Sequence, residues 1–146
     1  MENAPLVTVL LAVSNGERYL GAALESVLRQ TVSDLELLVV DDGSTDATPS
    51  ILEGVGDSRL RVLRGEKRVG LAAALNRGLD EARGRYVARL DADDVALPHR
   101  LERQLRRMVS GSPVAVVGSG VLELDEAGRP GPVHVMPSGS AAVRWA

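Results

Sequence analysis

The sequence predicts an α/β layered domain with a mostly parallel central sheet. Apolar, strand-like runs alternate with amphipathic helical segments four times along the chain. The runs at residues 6–13 and 35–40 are almost wholly apolar, as is typical of strands buried on both faces of a parallel sheet. Polar clusters follow three of the strands, and ligands of such sheets bind beyond the carboxyl ends of the strands. The sequence therefore predicts a binding site at one edge of the sheet.

Composition narrows the class of protein. A chain of 146 residues is long enough for one domain with a real core, and it has no Cys for disulfides or thiolate metal sites. The net charge is −3, aromatic residues make up 2%, and no basic tract is present, so we expect no nucleic-acid partner. No apolar run approaches the ~18 residues of a membrane span, and no signal peptide is visible. We expect a cytoplasmic protein.

The first half of the pattern reads as two strand–helix units. A strand at 6–13 is followed by a helix at 17–30, whose apolar residues form one stripe: Leu20, Ala23, Leu24, Val27 and Leu28. A second buried strand at 35–40 ends in a polar turn, where Gly43 permits a tight bend. Pro49 suits the first turn of the next helix, where a missing N–H costs little.

The third unit carries a short strand at 60–63 and a helix at 71–83. Its predicted inward stripe is Leu71, Leu75, Leu79 and Ala82, and Gly84 is expected to close the helix as a C-cap. A fourth strand follows at 85–90, and Pro98 begins another helix.

The end of the chain predicts a hairpin. Residues 114–124 resemble a strand interrupted by Gly118 and Gly120, and residues 125–128 give a turn signal. Residues 133–136 are predicted to pair back as a strand.

The fourth strand ends in three carboxylates, Asp91, Asp93 and Asp94. If the extended geometry continues one residue past Leu90, Asp91 and Asp93 point to the same side. Two such carboxylates repel unless a proton or a cation lies between them, and Mg²⁺ or Mn²⁺ is the natural occupant. The alternative is a solvated turn with an Asp at a helix N-cap.

Other site chemistries are not indicated. There is no Gly-x-Gly-x-x-Gly after the first strand and no Gly-Lys-Ser/Thr loop, which excludes the common dinucleotide and P-loop phosphate cradles. No Ser-His-Asp set is suggested, and the two histidines, His99 and His134, are predicted to be structural or exposed.

Four motifs in order, with matching spacing, resemble those of family 2 glycosyltransferases, which have the nucleotide-sugar-binding fold called GT-A. The resemblance covers about residues 6 to 104. The motifs lie at 7–20 (VTVLLAVSNGERYL), 39–46 (VVDDGSTD), 70–78 (GLAAALNRG), and 90–94 (LDADD) with 98–101 (PHRL). The resemblance implies a three-layer sandwich around the parallel sheet.

The resemblance also implies site residues. Asp91 and Asp93 would form the Asp-x-Asp motif, touching the ribose and holding Mg²⁺ or Mn²⁺ on the diphosphate. Asp94 would support them, and Asp41 or Asp42 would contact the base. The remaining implied nucleotide-binding positions are Ala12, Val13, Ser14, Asn15 and Ala92.

Three departures from the family pattern affect these roles. Ser14 stands where an aromatic residue often stacks on the base, and Arg68 stands where Asn is often found. Arg68 is a candidate for reaching a phosphate, or else a surface arginine. The family's general base usually lies in a Glu-Asp motif beyond residue 146, and Asp125-Glu126, in an expected turn, is not assigned to that role.

The activity that the resemblance implies is transfer of a sugar from a nucleotide-sugar donor, expected to be UDP-linked, with inversion at the anomeric carbon. The acceptor, a saccharide or a lipid-linked molecule, is not indicated. We expect residues 1–146 to be one nucleotide-sugar-binding domain of a longer enzyme whose base lies after residue 146, and exposed apolar surface favours a homo-oligomer.

Two alternatives remain open at this point. The first is a non-catalytic nucleotide-sugar-binding or regulatory module. The second is a phospho-accepting signalling domain, which also gathers acidic residues at strand ends but needs a lysine near a later strand, for which the sequence offers no candidate.

Overall fold

A computed structural model describes residues 4–111 and 114–135 of the chain. The chain divides into two compact units, Met1–Leu101 and Glu102–Ala146. The prediction of a single domain over 1–146 stays a prediction. In the described part of the chain, no helix has the length and apolar character needed to cross a membrane.

The first unit is built on a four-stranded parallel sheet in the order β3-β2-β1-β4. Its strands are β1 (Val7–Val13), β2 (Leu35–Asp41), β3 (Leu60–Arg64) and β4 (Tyr86–Arg89). The central pair is the most apolar: every residue of β2 is buried, and so is every residue of β1 except Ala12. The predicted parallel sheet is therefore confirmed, with the most apolar strands at its centre.

Three helices connect these strands: α1 (Leu20–Leu28), α2 (Thr48–Glu53) and α3 (Leu71–Glu81). The chain moves from β1 to β2 to β3 in one direction and then returns past β1 to β4. Because parallel crossovers are right-handed, this reversal places α3 on the face opposite α1 and α2. The result is the predicted three-layer arrangement.

The helix α1 buries four of the five residues of the predicted stripe, Leu20, Ala23, Leu24 and Val27, and Leu28 is half-buried. It begins at Leu20 and not at residue 17, because residues 17–19 form a turn in which the N–H of Tyr19 and of Leu20 both bond to the Gly16 carbonyl. That turn fixes where the chain leaves β1.

The inward face of α3 matches the predicted stripe only in part, since Leu75 and Ala82 pack against the core cluster. Leu71 and Leu79 are 53% and 51% exposed, whereas Ala74 and Gly78 are buried. A Cβ atom on Gly78 would lie 2.3 Å from Leu10 Cδ1, so the helix packs against the sheet through its small residues. The helical period is confirmed, but close packing centres the inward face on the small residues and not on the leucines.

Gly84 is not the C-cap that the sequence predicts. The helix ends at Glu81 with Ala82 in an extended conformation, and Gly84 lies against β1 instead. A Cβ atom on Gly84 would lie 2.3 Å from the backbone nitrogen of Thr8. Glycine is therefore required here for close approach of two backbone segments.

The second unit contains a short antiparallel hairpin of β5 (Val121–Leu124) and β6 (Pro130–His134). The predicted strand over 114–124 begins only at Val121, after the two glycines, and the second strand begins at Pro130, not at residue 133. The predicted strand end at Met136 lies outside the described residues. The helix α4 (Arg100–Val109) begins two residues later than predicted, and the division between the units falls after its second residue.

Candidate functional site

The carboxyl ends of β1 and β4 form the point where the strand order reverses, because β1 continues to β2 on one side and β4 pairs on the other. Ligands of open α/β sheets bind at such a switch point. The loops after these two strands approach each other: a Cβ atom on Gly16 would lie 3.9 Å from Ala92 Cβ. The predicted positions around Asn15 and around Ala92 are thus brought together.

The loops after β1 and β2 are fastened to each other by reciprocal hydrogen bonds. The Asn15 side-chain Oδ1 accepts from the backbone N–H of Thr45 (2.8 Å), and the Asn15 N–H donates to Ser44 Oγ (2.9 Å). Asn15 has a left-handed φ of 55°, which Asn tolerates better than most residues. The structure therefore gives Asn15 a role in joining the two loops, in addition to its predicted place near the nucleotide.

A second contact between these loops involves Asp46 and Glu17. The Glu17 N–H donates to Asp46 Oδ2 (3.0 Å), and Glu17 Oε2 accepts from the Ala47 N–H (3.0 Å). Desolvation opposes ionisation of Asp46, but hydrogen bonds from Thr48 and from the Glu17 backbone hold its pKa below the usual value. These contacts order the entrance of α2, where Asp46 Oδ1 also accepts from the Thr48 N–H.

Asp41 and Asp42 are buried at the end of β2, with relative exposures of 3% and 4%. Asp42 Oδ1 accepts from the Val69 N–H at 2.7 Å, and Oδ2 accepts from the Gly70 N–H at 2.8 Å. Asp41 Oδ1 accepts from the Ser44 N–H at 3.0 Å. Each carboxylate thus fixes the neighbouring loop while keeping further acceptor lone pairs.

A cleft of about 410 Å³ opens beside these two carboxylates. Asp41 and Asp42 line this cleft, and so do three cationic residues for which no site role is predicted from sequence: Arg64, Lys67 and Arg77. Gly43 allows the loop after β2 to approach the loop after β3, since a Cβ atom there would lie 2.6 Å from the backbone of Arg68. Arg77 lies inside the motif at 70–78 and Arg64 directly follows the predicted third strand, whereas no sequence pattern marks Lys67.

The acidic segment after β4 forms a turn, not an extension of the strand. β4 ends at Arg89, and the Asp94 N–H bonds to the Asp91 carbonyl at 3.1 Å. The extended backbone that strand alternation requires does not continue to Asp93, so the argument from alternation does not apply, and a shared cation between Asp91 and Asp93 stays a prediction. The turn still keeps the three carboxylates within one short segment.

Arg89 contacts this turn directly. Its Nη2 lies 2.6 Å from Asp91 Oδ1, and the two side chains are 53% and 45% exposed. Arg100 Nη2 donates to the Arg89 carbonyl at 2.7 Å. Cationic groups thus lie beside the acidic segment, although exposure limits the stabilisation from the Arg89 pair.

The acidic segment is electrostatically strained. Partial desolvation of the Asp94 carboxyl group, together with the negative charges of Asp93 and Asp91, raises the pKa of Asp94 above its usual value. Asp94 as a whole residue remains exposed. A bound cation would relieve this repulsion.

The donor set suits a cation that arrives with a substrate. Among the described residues, no group of three or more His, Cys, Asp or Glu side chains is arranged to hold a metal ion alone. Mg²⁺ is usually held by one or two carboxylates together with substrate phosphates, and not by a cage of protein ligands. Asp91 and Asp93 fit this mode of binding.

The other predicted site residues lie around this edge. Ala12 packs against the core cluster beneath α3, Val13 is buried, and Ser14 is half-buried where the chain leaves β1. Arg68 is exposed in the loop before α3. The 410 Å³ cleft is lined by Asp41 and Asp42 but by none of these four residues.

Comparison with known proteins gives a family match over most of the chain. The model of glycosyl transferase family 2 matches residues 8–143. A putative glycosyltransferase of Bacillus subtilis, EpsE, is 37% identical over 141 residues, which is 94% of this chain and 50% of that protein.

Two solved structures are similar in fold. TarS of S. aureus in complex with UDP-GlcNAc superposes with a TM-score of 0.66 at 29% identity, covering 70% of this chain and 30% of that one. The mannosyltransferase PcManGT of Pyrobaculum calidifontis, in complex with GDP-Man and Mn²⁺, gives 0.67 at 30% identity, covering 75% and 34%. The chain spans half or less of the length of these three proteins.

Proposed function

Because the chain belongs to glycosyl transferase family 2, we propose that it binds a nucleotide-sugar donor at the carboxyl edge of its sheet and takes part in transfer of the sugar. The fold is the GT-A fold predicted from the sequence. The proposed donor is UDP-linked, the proposed cation is Mg²⁺ or Mn²⁺, and the proposed reaction inverts the anomeric carbon.

One observation carries this proposal: four loops that follow strands are contiguous along one edge. The Asp91–Asp94 turn lies beside Gly16, the Asn15 loop is bonded to Ser44 and Thr45, and Asp42 is bonded to Val69 and Gly70. A base can therefore bind at one end of this edge and a diphosphate at the other.

The base end is proposed at the cleft beside Asp42. Its carboxylate is held in place by two backbone N–H groups and retains lone pairs for a ring N–H of uracil. Burial of this acceptor favours a ligand that supplies a hydrogen bond, since a poorly matched base would leave the carboxylate less well satisfied.

The diphosphate end is proposed at Asp91 and Asp93. A divalent cation bound there would neutralise the diphosphate and stabilise the departing nucleotide. The chain's own part is to present the two carboxylates, while Arg89, beside Asp91, keeps positive charge near the leaving group.

The proposal is tested by calorimetric titration of UDP in Mn²⁺ and then in excess chelator. We expect binding that weakens strongly on chelation. Asp93→Ala should remove the Mn²⁺-dependent part of the affinity, whereas Asp34→Ala, which removes an exposed carboxylate just ahead of β2, should not.

The outcomes separate the parts of the proposal. Mn²⁺-dependent binding of GDP in preference to UDP would correct the base and keep the rest. UDP affinity that is equal with and without Mn²⁺ in a folded sample would contradict the metal assignment.

A further inference from the structure

We propose that Gln30, which follows α1 and contacts neither of the predicted metal-binding carboxylates, is a positioning residue for the Asp91–Asp94 turn. This inference rests on the proposed metal-assisted binding of the donor. Packing of the core alone does not explain why an amide side chain stands at position 30 or why it makes the hydrogen bonds that it does.

Gln30 is 7% exposed, and both ends of its amide are engaged. Its Nε2 lies 2.8 Å from the Leu97 carbonyl, 3.3 Å from the Ala96 carbonyl and 3.2 Å from the Ser26 carbonyl. Its Oε1 accepts from the Leu101 N–H at 3.1 Å. One side chain thus bonds to three residues of the segment that follows the acidic turn.

Ser26 holds the same segment one turn earlier on α1. Its hydroxyl donates to the Ala23 carbonyl at 2.7 Å and accepts from the Ala96 N–H at 3.0 Å. The Thr31 N–H adds a bond to the Pro98 carbonyl at 3.0 Å. Ala96 is consequently fixed through both its N–H and its carbonyl group.

These contacts fix the carboxyl-terminal end of the short segment that carries the acidic residues. At its near end, buried Leu90 continues the sheet through the bond from its N–H to the Leu10 carbonyl at 3.1 Å. At its far end, Ala96 is 6% exposed and fixed to α1. Only residues 91–95 lie between the two anchors, so weakening the anchor at Ala96 would loosen the position of the carboxylates.

The chemistry of this position requires an amide. The segment presents carbonyl oxygens and one N–H to the same side chain, and a primary amide satisfies both kinds of group. A carboxylate would set oxygen against the carbonyl groups, and an apolar side chain would leave buried backbone groups unpaired, which is costly.

The test compares two variants with the wild-type chain. Gln30→Met keeps length and flexibility but removes the amide. Thr8→Val is the matched control: it removes a buried hydrogen-bonding group at the amino end of β1, far from the acidic turn along the strands. For each protein, UDP affinity is measured with Mn²⁺ and with chelator, and amide hydrogen exchange is followed at Ala96 and Leu101.

We expect Gln30→Met to lower the Mn²⁺-dependent affinity by about 10-fold or more, as loss of a residue supporting metal ligands does. Exchange at Ala96 and Leu101 should quicken in Gln30→Met and not in Thr8→Val. Ser26→Ala should act in the same direction and serves if Gln30→Met does not fold.

Three results would overturn the inference. If the wild type binds UDP in a Mn²⁺-dependent way and a folded Gln30→Met variant has the same Mn²⁺-dependent affinity, the inference is refuted and the proposed function is not. Equal losses in Gln30→Met and Thr8→Val would show general destabilisation instead of positioning. A wild type whose UDP affinity ignores Mn²⁺ would contradict the proposed function, and this inference with it.

Discussion

The carboxylate of Asp42 accepts a 2.8 Å hydrogen bond from the backbone N–H of Gly70, the N-cap residue of α3. Its other oxygen takes the N–H of Val69 at 2.7 Å. The side chain that lines the cleft therefore also fixes the start of the helix behind it. Ligand binding and local stability are coupled at this residue.

Asp42→Asn is the first prediction. The amide offers one acceptor oxygen and sets its NH₂ group against a backbone N–H, so the free energy of unfolding should fall by roughly 1–3 kcal/mol. Chemical denaturation measures this loss. Asp80→Asn, on the exposed surface of α3, is the control and should change stability little.

The second prediction concerns buried Glu36. Its Oε1 accepts from Thr8 Oγ1 at 2.6 Å and from the Arg83 N–H at 2.7 Å, and its Oε2 lies 3.2 Å from Arg61 Nη1. A double-mutant cycle of Thr8→Val and Glu36→Gln should give a coupling free energy of about 0.5–3 kcal/mol, because the two residues share one network. Additive losses would show that the pair is not coupled.

The third prediction is that substitution by Ala changes the melting temperature in opposite directions at Gly84 and at Gly21. At Gly84 a Cβ atom would meet the β1 backbone at 2.3 Å, whereas at Gly21, on the exposed side of α1, nothing lies within 4 Å. Gly84→Ala should lower the melting temperature, since backbone must move. Gly21→Ala should raise it through a helix propensity gain of up to about 1 kcal/mol. A neutral Gly84→Ala would contradict the observed close approach.

The fourth prediction is a pH dependence. Hydrogen bonds from the Arg59 side chain and backbone lower the pKa of Asp57 to about 2. Because the folded pKa lies below the unfolded one, the stabilisation is complete above pH ~4 and is lost as the pH falls toward 2. Urea denaturation of Asp57→Asn should therefore show a smaller loss of stability between pH 4 and 2 than the wild type. Parallel curves would refute the assignment.

The strands could be predicted from sequence because their signal is local. Apolar, β-branched runs at β1 and β2 end where polar residues begin, and the motifs after them point to one edge. The sequence could not reveal which face of α3 packs inward. That choice depends on the separation of helix and sheet, which favours Ala74 and Gly78 over Leu71 and Leu79.

The site was only partly predictable for a similar reason. Asp42 and Asp91 lie in short motifs that a reader of the sequence can find. Gln30 does not, since its partners Ala96 and Leu97 lie 66 and 67 residues further along the chain. Pairings at that separation are set by the topology of the sheet, and a single sequence carries no local sign of them.

The most direct test of the central claim locates the bound cation. In an NMR titration of the chain with UDP and Mn²⁺, paramagnetic broadening should centre on the amides of Ala92 and Asp93 and extend to Asn15. The amides of Thr8 and Glu36, at the amino end of the strands, should stay sharp. Broadening centred elsewhere, or equal broadening throughout the sheet, would contradict a metal-assisted nucleotide site at the carboxyl edge.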